Sequence, residues 1–114
     1  YQLSAYITPD EEESLMRHMP DCKAMRWHEL FVNIVGKDGG KPVGIAKVCE
    51  KYGYDINDVI AFGDGGNDID MLKSVGTGVA MGNAGENVKK IADYVTTDVD
   101  GDGIFNALQH FELI

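Results

Sequence analysis

The chain has 114 residues, one domain's worth of sequence or part of a larger one, and 44% hydrophobic content, enough for a real core. A net charge of −9 at pH 7 argues against nucleic acid or an anionic membrane as the main partner, since both require a basic footprint. No apolar run approaches the roughly 20 residues that span a bilayer.

Cys22 and Cys49 have neither the spacing of a metal site nor that of a disulfide framework, and no secretory leader pattern appears. Buried thiols in a reducing cytoplasm are the expectation. The chain opens at Tyr1, without methionine and directly in strand-like sequence, and so reads as a fragment or a trimmed product.

Tyr1 to Ile7 alternates Leu3, Ala5 and Ile7 with other residues, as a half-buried strand does. Thr8-Pro9-Asp10-Glu11 spells a capping box with proline in the first turn, predicting a short helix to about His18, which Pro20 ends. Two strands follow, Cys22 to Trp27 and Leu30 to Val35. His28-Glu29 between them lacks the positive-φ chemistry of a tight hairpin, so a longer loop is expected. The glycine- and charge-rich stretch 36–40 divides an α+β piece, residues 1–36, from the remainder, residues 37–114.

Past this boundary, Pro42 opens a helix whose Ile45, Val48, Cys49 and Tyr52 form an apolar stripe, with Gly53 as its stop. Val59-Ile60-Ala61-Phe62 reads as a strand buried on both faces. It runs into Gly63-Asp64-Gly65-Gly66-Asn67-Asp68, where Asn67 or Asp68 is expected to cap a helix carrying Ile69, Met71, Leu72 and Val75. Val79 to Met81 forms a second short strand. Asn83, with Glu86 three residues on, is expected to cap a helix bearing Val88, Ile91 and Ala92. Tyr94 to Thr96 is a third strand, and the acidic loop 98–103 leads to a last helix with Ile104, Ala107, Leu108 and Phe111 on one face. The order α-β-α-β-α-β-α from residue 41 implies an α/β fold, a Rossmann-like parallel sheet with crossover helices.

In such a sheet ligands gather outside the carboxyl ends of the strands, where Asp64 projects. The glycines allow a sharp turn and close approach, and the helix start offers N–H groups to an anion. A carboxylate here suits Mg²⁺, which is typically held by one or two carboxylates together with phosphate oxygens. Against the overall negative field, a phosphorylated substrate needs local positive charge from a metal ion or a lysine. Two other glycine runs lack the pattern of a nucleotide site. Residues 36–42 are one residue short of a P-loop, with Pro42 where Ser or Thr belongs, and Met81 holds the third glycine's place after Gly76-Thr77-Gly78. Asp98-Val99-Asp100-Gly101 has the spelling Asp-x-Asp-Gly, but Thr96-Thr97 precede it where an apolar strand end belongs. The same run places Asp98, Asp100, Asp102 and Gly103 at EF-hand positions 1, 3, 5 and 6. Gln109 stands where the bidentate glutamate should be, so a solvated acidic turn is expected rather than a Ca²⁺ loop.

Three ordered motifs, residues 63–72, then Gly78-Val79-Ala80-Met81-Gly82-Asn83-Ala84, then Ala92-Asp93-Tyr94-Val95-Thr96, resemble the C-terminal part of a haloacid dehalogenase superfamily phosphatase. The nearest likeness is to the Cof-type branch, whose larger cap precedes the lysine motif. The resemblance covers about residues 30–110; residues 1–35 match a cap only in general pattern. It implies a partial core of that fold preceded by a piece of the cap. It also implies Mg²⁺-dependent hydrolysis of small phosphorylated metabolites, such as sugar phosphates, through an aspartyl-phosphate intermediate.

By position, Lys41 matches the lysine that offsets charge on the nucleophile and the phosphoryl oxygens. Asp64 matches the direct Mg²⁺ ligand. Asp68 matches the second acidic position, which supports the metal through water or holds the lysine, and Asn67 matches the asparagine close to the substrate phosphate. The family's nucleophile and acid/base are the two aspartates of an Asp-x-Asp that lies before the cap, and these residues do not include it. The chain on its own is therefore expected to be inactive. A non-catalytic phosphate- or metal-binding module and a phosphomutase of the same fold stay open beside the phosphatase. Cation-pumping ATPases carry a similar run, but with Pro-Ala-Leu where Asp70-Met71-Leu72 stand here, and they need membrane helices. Trp27, His28 and Glu29 are placed to contact a leaving group or simply to pack. A half-sheet without its central partner strands is expected to expose an apolar edge and to self-associate.

Overall fold

The computed structural model describes residues 2–114, so Tyr1 of the expected opening strand lies outside the described residues. Two three-stranded sheets form, each from strands close in sequence. The first holds β1 (Gln2–Ala5), β2 (Cys22–Arg26) and β3 (Val32–Gly36), all antiparallel with β3 in the centre. Composition explains that order: Val32, Ile34 and Val35 are all buried, which suits the two-sided position, whereas β1 is mostly exposed. Register sets Leu3 and Ala24 on either side of Ile34, and Ala5 and Arg26 on either side of Val32.

Between β1 and β2 runs α1 (Pro9–Met16), which starts with the expected capping box. Glu11 N–H donates to the Thr8 hydroxyl, and Thr8 N–H donates to the Glu11 carboxylate at 2.8 Å. These bonds with the Thr8 backbone and side chain hold the Glu11 carboxyl below its usual range. The connection from β2 to β3 spans residues 27–31, longer than the His28-Glu29 dipeptide, as the missing turn chemistry implied.

Arg26 organises that loop. Its Nε donates to Glu12 Oε2 at 2.7 Å, its Nη1 to the carbonyls of His28 and Glu29 at 3.0 Å each, and its Nη2 to the Ile7 carbonyl at 2.9 Å. One planar fork thus ties α1, the segment between β1 and α1 and the loop together. Phe31 anchors the loop's aromatic side chains, with Trp27 edge-on and His28 stacked, both at 4.6 Å between centroids. Arg26→Ala is expected to cost about 2 kcal/mol, through three carbonyls and a carboxylate left without their donor. The emission of Trp27, the only tryptophan, should shift to the red. Arg26→Lys should restore only part of either signal, because a single ammonium cannot reach the four acceptors in their different directions. Chemical unfolding and Trp27 fluorescence check both.

The second sheet is parallel, ordered β4 (Ile60–Gly63), β5 (Thr77–Ala80), β6 (Tyr94–Val95). α3 (Ile69–Ser74) and α4 (Glu86–Lys89) make the crossovers, and α5 (Gly103–His110) follows β6. Val79 and Ala80 of the central strand are fully buried. The core beside this sheet gathers Ala61, Leu72, Ala80, Ala84 and Val88, with Ile69, Met71, Val75, Ile91 and Ala92 packed against it. This is the α/β arrangement that the alternating pattern implied.

α2 (Lys41–Tyr52) runs into Gly53, whose φ of 73° provides the left-handed stop that the sequence called for. The stripe on α2 is only half covered. Cys49 is buried, yet Val48 is 53% and Tyr52 63% exposed. α2 packs against α3, and a groove lined by Ile45, Val48, Cys49, Tyr54, Val59 and Met71 stays open beside it. β4 pairs with β5 alone, so its other edge has no strand partner among the described residues.

The acidic loop after β6 contains a short 3-10 turn, Val99–Gly101, and α5 starts at Gly103. Gly103 is the sixth position of the EF-hand spelling, so Gln109 falls near the end of a helix and closes no loop. Among the described residues no three or more His, Cys, Asp or Glu side chains converge as a metal cluster, and no helix is long and apolar enough to cross a membrane.

Candidate functional site

The carboxyl end of β4 turns sharply at Gly63-Asp64-Gly65 and passes through a 3-10 turn, Gly66–Asp68, into α3. Asp68 is the pivot of this corner. It is 5% exposed, and its Oδ2 accepts from the N–H groups of both Asp64 and Gly65 at 3.1 Å. Its other oxygen, Oδ1, accepts from Lys41 Nζ at the start of α2. The side chain does not cap α3, as local sequence suggested; it folds back to tie the turn shut. The N–H groups of Asp64 and Gly65 are consequently committed to Asp68 and are not offered to an anion.

The charge on Asp68 is set by competition. Burial pushes its carboxyl up, but the bond from Lys41, the bonds from the Gly65 and Asp64 backbone and the lysine charge outweigh burial and hold it below the usual carboxylate range. A depressed folded value means that the ionised form stabilises the fold above the unfolded value of about pH 4, and that this contribution is lost as pH falls through the folded value. Acidifying the chain below pH 4 should therefore lower its urea midpoint more steeply than in an Asp68→Asn variant. Parallel curves for the two proteins would contradict the assignment.

Lys41, Asp64 and Asp68 line one crevice of about 380 Å³, floored by Phe62, Met71, Met81, Val99 and Ile104. Asp64 is the exposed one of the two carboxylates, and its Oδ2 accepts from Asn83 Nδ2 at 3.1 Å. Its Oδ1 has no protein partner among the described residues. Asn67 stands apart: it is half-buried, its side chain folds back against Gly65, and it does not line this crevice. The donor set fits a hard divalent cation with one direct carboxylate, Asp64, because both oxygens of Asp68 are already engaged. Asp68 holds Lys41 at the edge of the same crevice.

Asp64 also borders a second, larger crevice of about 940 Å³. Its far wall is the loop fixed by Arg26, with Trp27, His28 and Glu29, and its near wall is Gly65, Gly66, Gly85, Asn87 and Val88. Trp27, His28 and Glu29, singled out in the sequence, thus line the same space as Asp64.

Asn83 is the residue that sequence reasoning missed, since its spacing to Glu86 imitates a helix cap. α4 is instead entered from Gly85, and the Asn83 side chain is turned toward Asp64. Its place in the Gly82-Asn83-Ala84 motif was the available signal.

The sequence pattern of the haloacid dehalogenase-like hydrolases matches residues 2–108. YkrA of Bacillus subtilis (strain 168), a provisionally assigned phosphatase, is 49% identical over 105 residues, covering 92% of this chain and 41% of YkrA. A protein encoded in the 5′ region of pdhA in Geobacillus stearothermophilus, without an assigned function, is 51% identical over 94 residues, covering 82% of this chain and 99% of that protein. Among solved structures, the HAD subclass IIB sugar phosphatase BT4131 superposes with a TM-score of 0.91 at 42% identity, covering 99% of this chain and 44% of that one. The chain therefore spans less than half the length of YkrA and of the sugar phosphatase.

Proposed function

The chain belongs to the haloacid dehalogenase-like hydrolases, and from that premise we propose that it supplies the lysine-and-aspartate side of the phosphate site in a Mg²⁺-dependent phosphomonoesterase acting on small phosphorylated metabolites such as sugar phosphates. The observation that carries this reading is the shared crevice. Asp68 fixes the ammonium of Lys41 while an exposed Asp64 carboxylate opens on the same space. Phosphoryl transfer depends mainly on positioning and on charge stabilisation, so a site that draws a fixed ammonium and a cation ligand together is suited to it. Mg²⁺, when bound, would withdraw charge from the phosphoryl oxygens. Lys41 would neutralise a second oxygen, and the buried Asp68 would keep its ammonium from swinging into solvent.

In this reading residues 1–36 serve as part of a cap over residues 37–114. The larger crevice, walled by Trp27, His28 and Glu29, takes the leaving group. The likeness to a sugar phosphatase supports a polyhydroxylated leaving group.

A chimera in which this chain replaces the matching segment of YkrA tests the proposal. It should hydrolyse 4-nitrophenyl phosphate with Mg²⁺, and Asp64→Asn should lower kcat/KM by roughly 100-fold or more. The 114 residues alone should not turn over, because they contain no Asp-x-Asp behind an apolar strand. Turnover by the chain alone that vanished in Lys41→Ala would overturn the division of labour. A chimera that folds and binds phosphate but leaves it unhydrolysed would favour a non-catalytic phosphate-binding module.

A further inference from the structure

We infer that Asn83 is a positioning residue for the cation, one that holds the Asp64 carboxylate in its ligand orientation; the inference rests on the reading of Asp64 as the metal ligand. The amide is used at both ends. Nδ2 donates to Asp64 Oδ2 at 3.1 Å, and Oδ1 accepts from the N–H of Val99 at 3.1 Å. The second bond fixes which way the amide points, so that a donor and not an acceptor meets Asp64. With Oδ2 occupied by a neutral donor, the carboxylate keeps its full charge and Oδ1 is left for a cation. An exposed aspartate without this tether would sample several rotamers, and binding a cation would have to select one of them.

The geometry also explains why asparagine is the residue here. A glutamine would be one methylene too long to hold both partners in place, and an alanine would leave Asp64 unrestrained. Asn83 reaches across from the turn after β5 and joins the β4 corner to the start of the acidic loop, where Val99 lines the same crevice as Lys41. The tether is 19 residues long in sequence in one direction and 16 in the other, so it is a tertiary contact and not local turn chemistry.

The test is a Mg²⁺ titration of the full 114-residue chain, followed by amide NMR at residues 63–67 and by the side-chain NH₂ resonances of Asn83. A site-resolved readout separates this corner from the many other carboxylates of an acidic chain. Asn83→Ala should weaken Mg²⁺ affinity at these resonances roughly tenfold, the size of effect seen when the partner of a metal ligand is removed. In an Asp64→Asn background the same change should have no further effect, whereas a general structural role for Asn83 would persist there. Unchanged affinity in Asn83→Ala would overturn the inference while leaving Asp64 as ligand. If Asp64→Asn itself leaves the Mg²⁺ response unaltered, the metal reading of Asp64 fails instead, and the positioning role fails with it.

Discussion

Replacing Lys41 with methionine is expected to lower the stability of the chain by about 2 kcal/mol at pH 7. Asp68 is 5% exposed and would be left as a buried carboxylate without its counter-ion. Breaking a fully buried pair costs about 3–5 kcal/mol, but two features reduce the figure here. The Lys41 side chain is 47% exposed, so water can enter where the ammonium was, and Asp68 keeps its two backbone donors. For a domain near 100 residues this corresponds to a fall in Tm of about 10 °C. The loss has a pH signature: without the lysine, Asp68 protonates more readily, so the gap between the two proteins should close as pH falls through 4. A second substitution, Asp68→Asn, should recover most of the loss by removing the unpaired charge. Thermal unfolding of the single and double variants at two pH values decides the matter, and an unchanged Tm in Lys41→Met would show that the pair contributes nothing.

Gly63→Ala is expected to cost about 2–3 kcal/mol and to disarm the corner. A Cβ at this position would lie 2.6 Å from Asp68 Cβ and 3.0 Å from its Cγ. Neither atom belongs to the loose end of a long side chain, so the clash can be relieved only by moving the backbone of the 3-10 turn. That movement would pull Asp68 away from Lys41 and from the N–H groups of Asp64 and Gly65 together. Gly36→Ala is the internal control, because nothing lies within 4 Å of the atom it adds. The control should stay within about 0.5 kcal/mol of the parent. Urea unfolding compares the two, and amide shifts of Asp64 and Gly65 report whether the turn has opened. Equal stabilities for the two variants would contradict the packing argument.

These two predictions depend on a corner whose existence was legible in the residues alone. A four-residue apolar run that stops at glycine and meets a carboxylate reads as a core strand running into a sharp turn, which is what β4 does. The same was true of α2, because Pro42 and Gly53 mark its ends by backbone chemistry that does not depend on tertiary context. The destination of the short polar side chains was not legible. Asp68 and Asn83 both sit at spacings that suit a helix cap, and local and tertiary hydrogen bonds compete for such groups on nearly equal terms. A tertiary partner took Asn83, with Asp64 19 residues away, and one oxygen of Asp68, with Lys41 27 residues away, while the other Asp68 oxygen turned back to the N–H groups of Asp64 and Gly65. The exposure of Val48 and Tyr52 was hidden for a related reason. Periodicity shows that a helix has an apolar face, and only the neighbouring elements decide whether that face is covered. Arg26 carried no pattern at all, since its four acceptors come from α1, the segment between β1 and α1 and the loop after β2.

A crystal structure of the YkrA chimera, grown with Mg²⁺ and inorganic phosphate, tests the central claim most directly. The account predicts a single phosphate with one oxygen about 2.8 Å from Lys41 Nζ, and another on a Mg²⁺ about 2.1 Å from the Asp64 carboxylate. A phosphate held by only one of the two, or a Mg²⁺ seated away from Asp64, would contradict it.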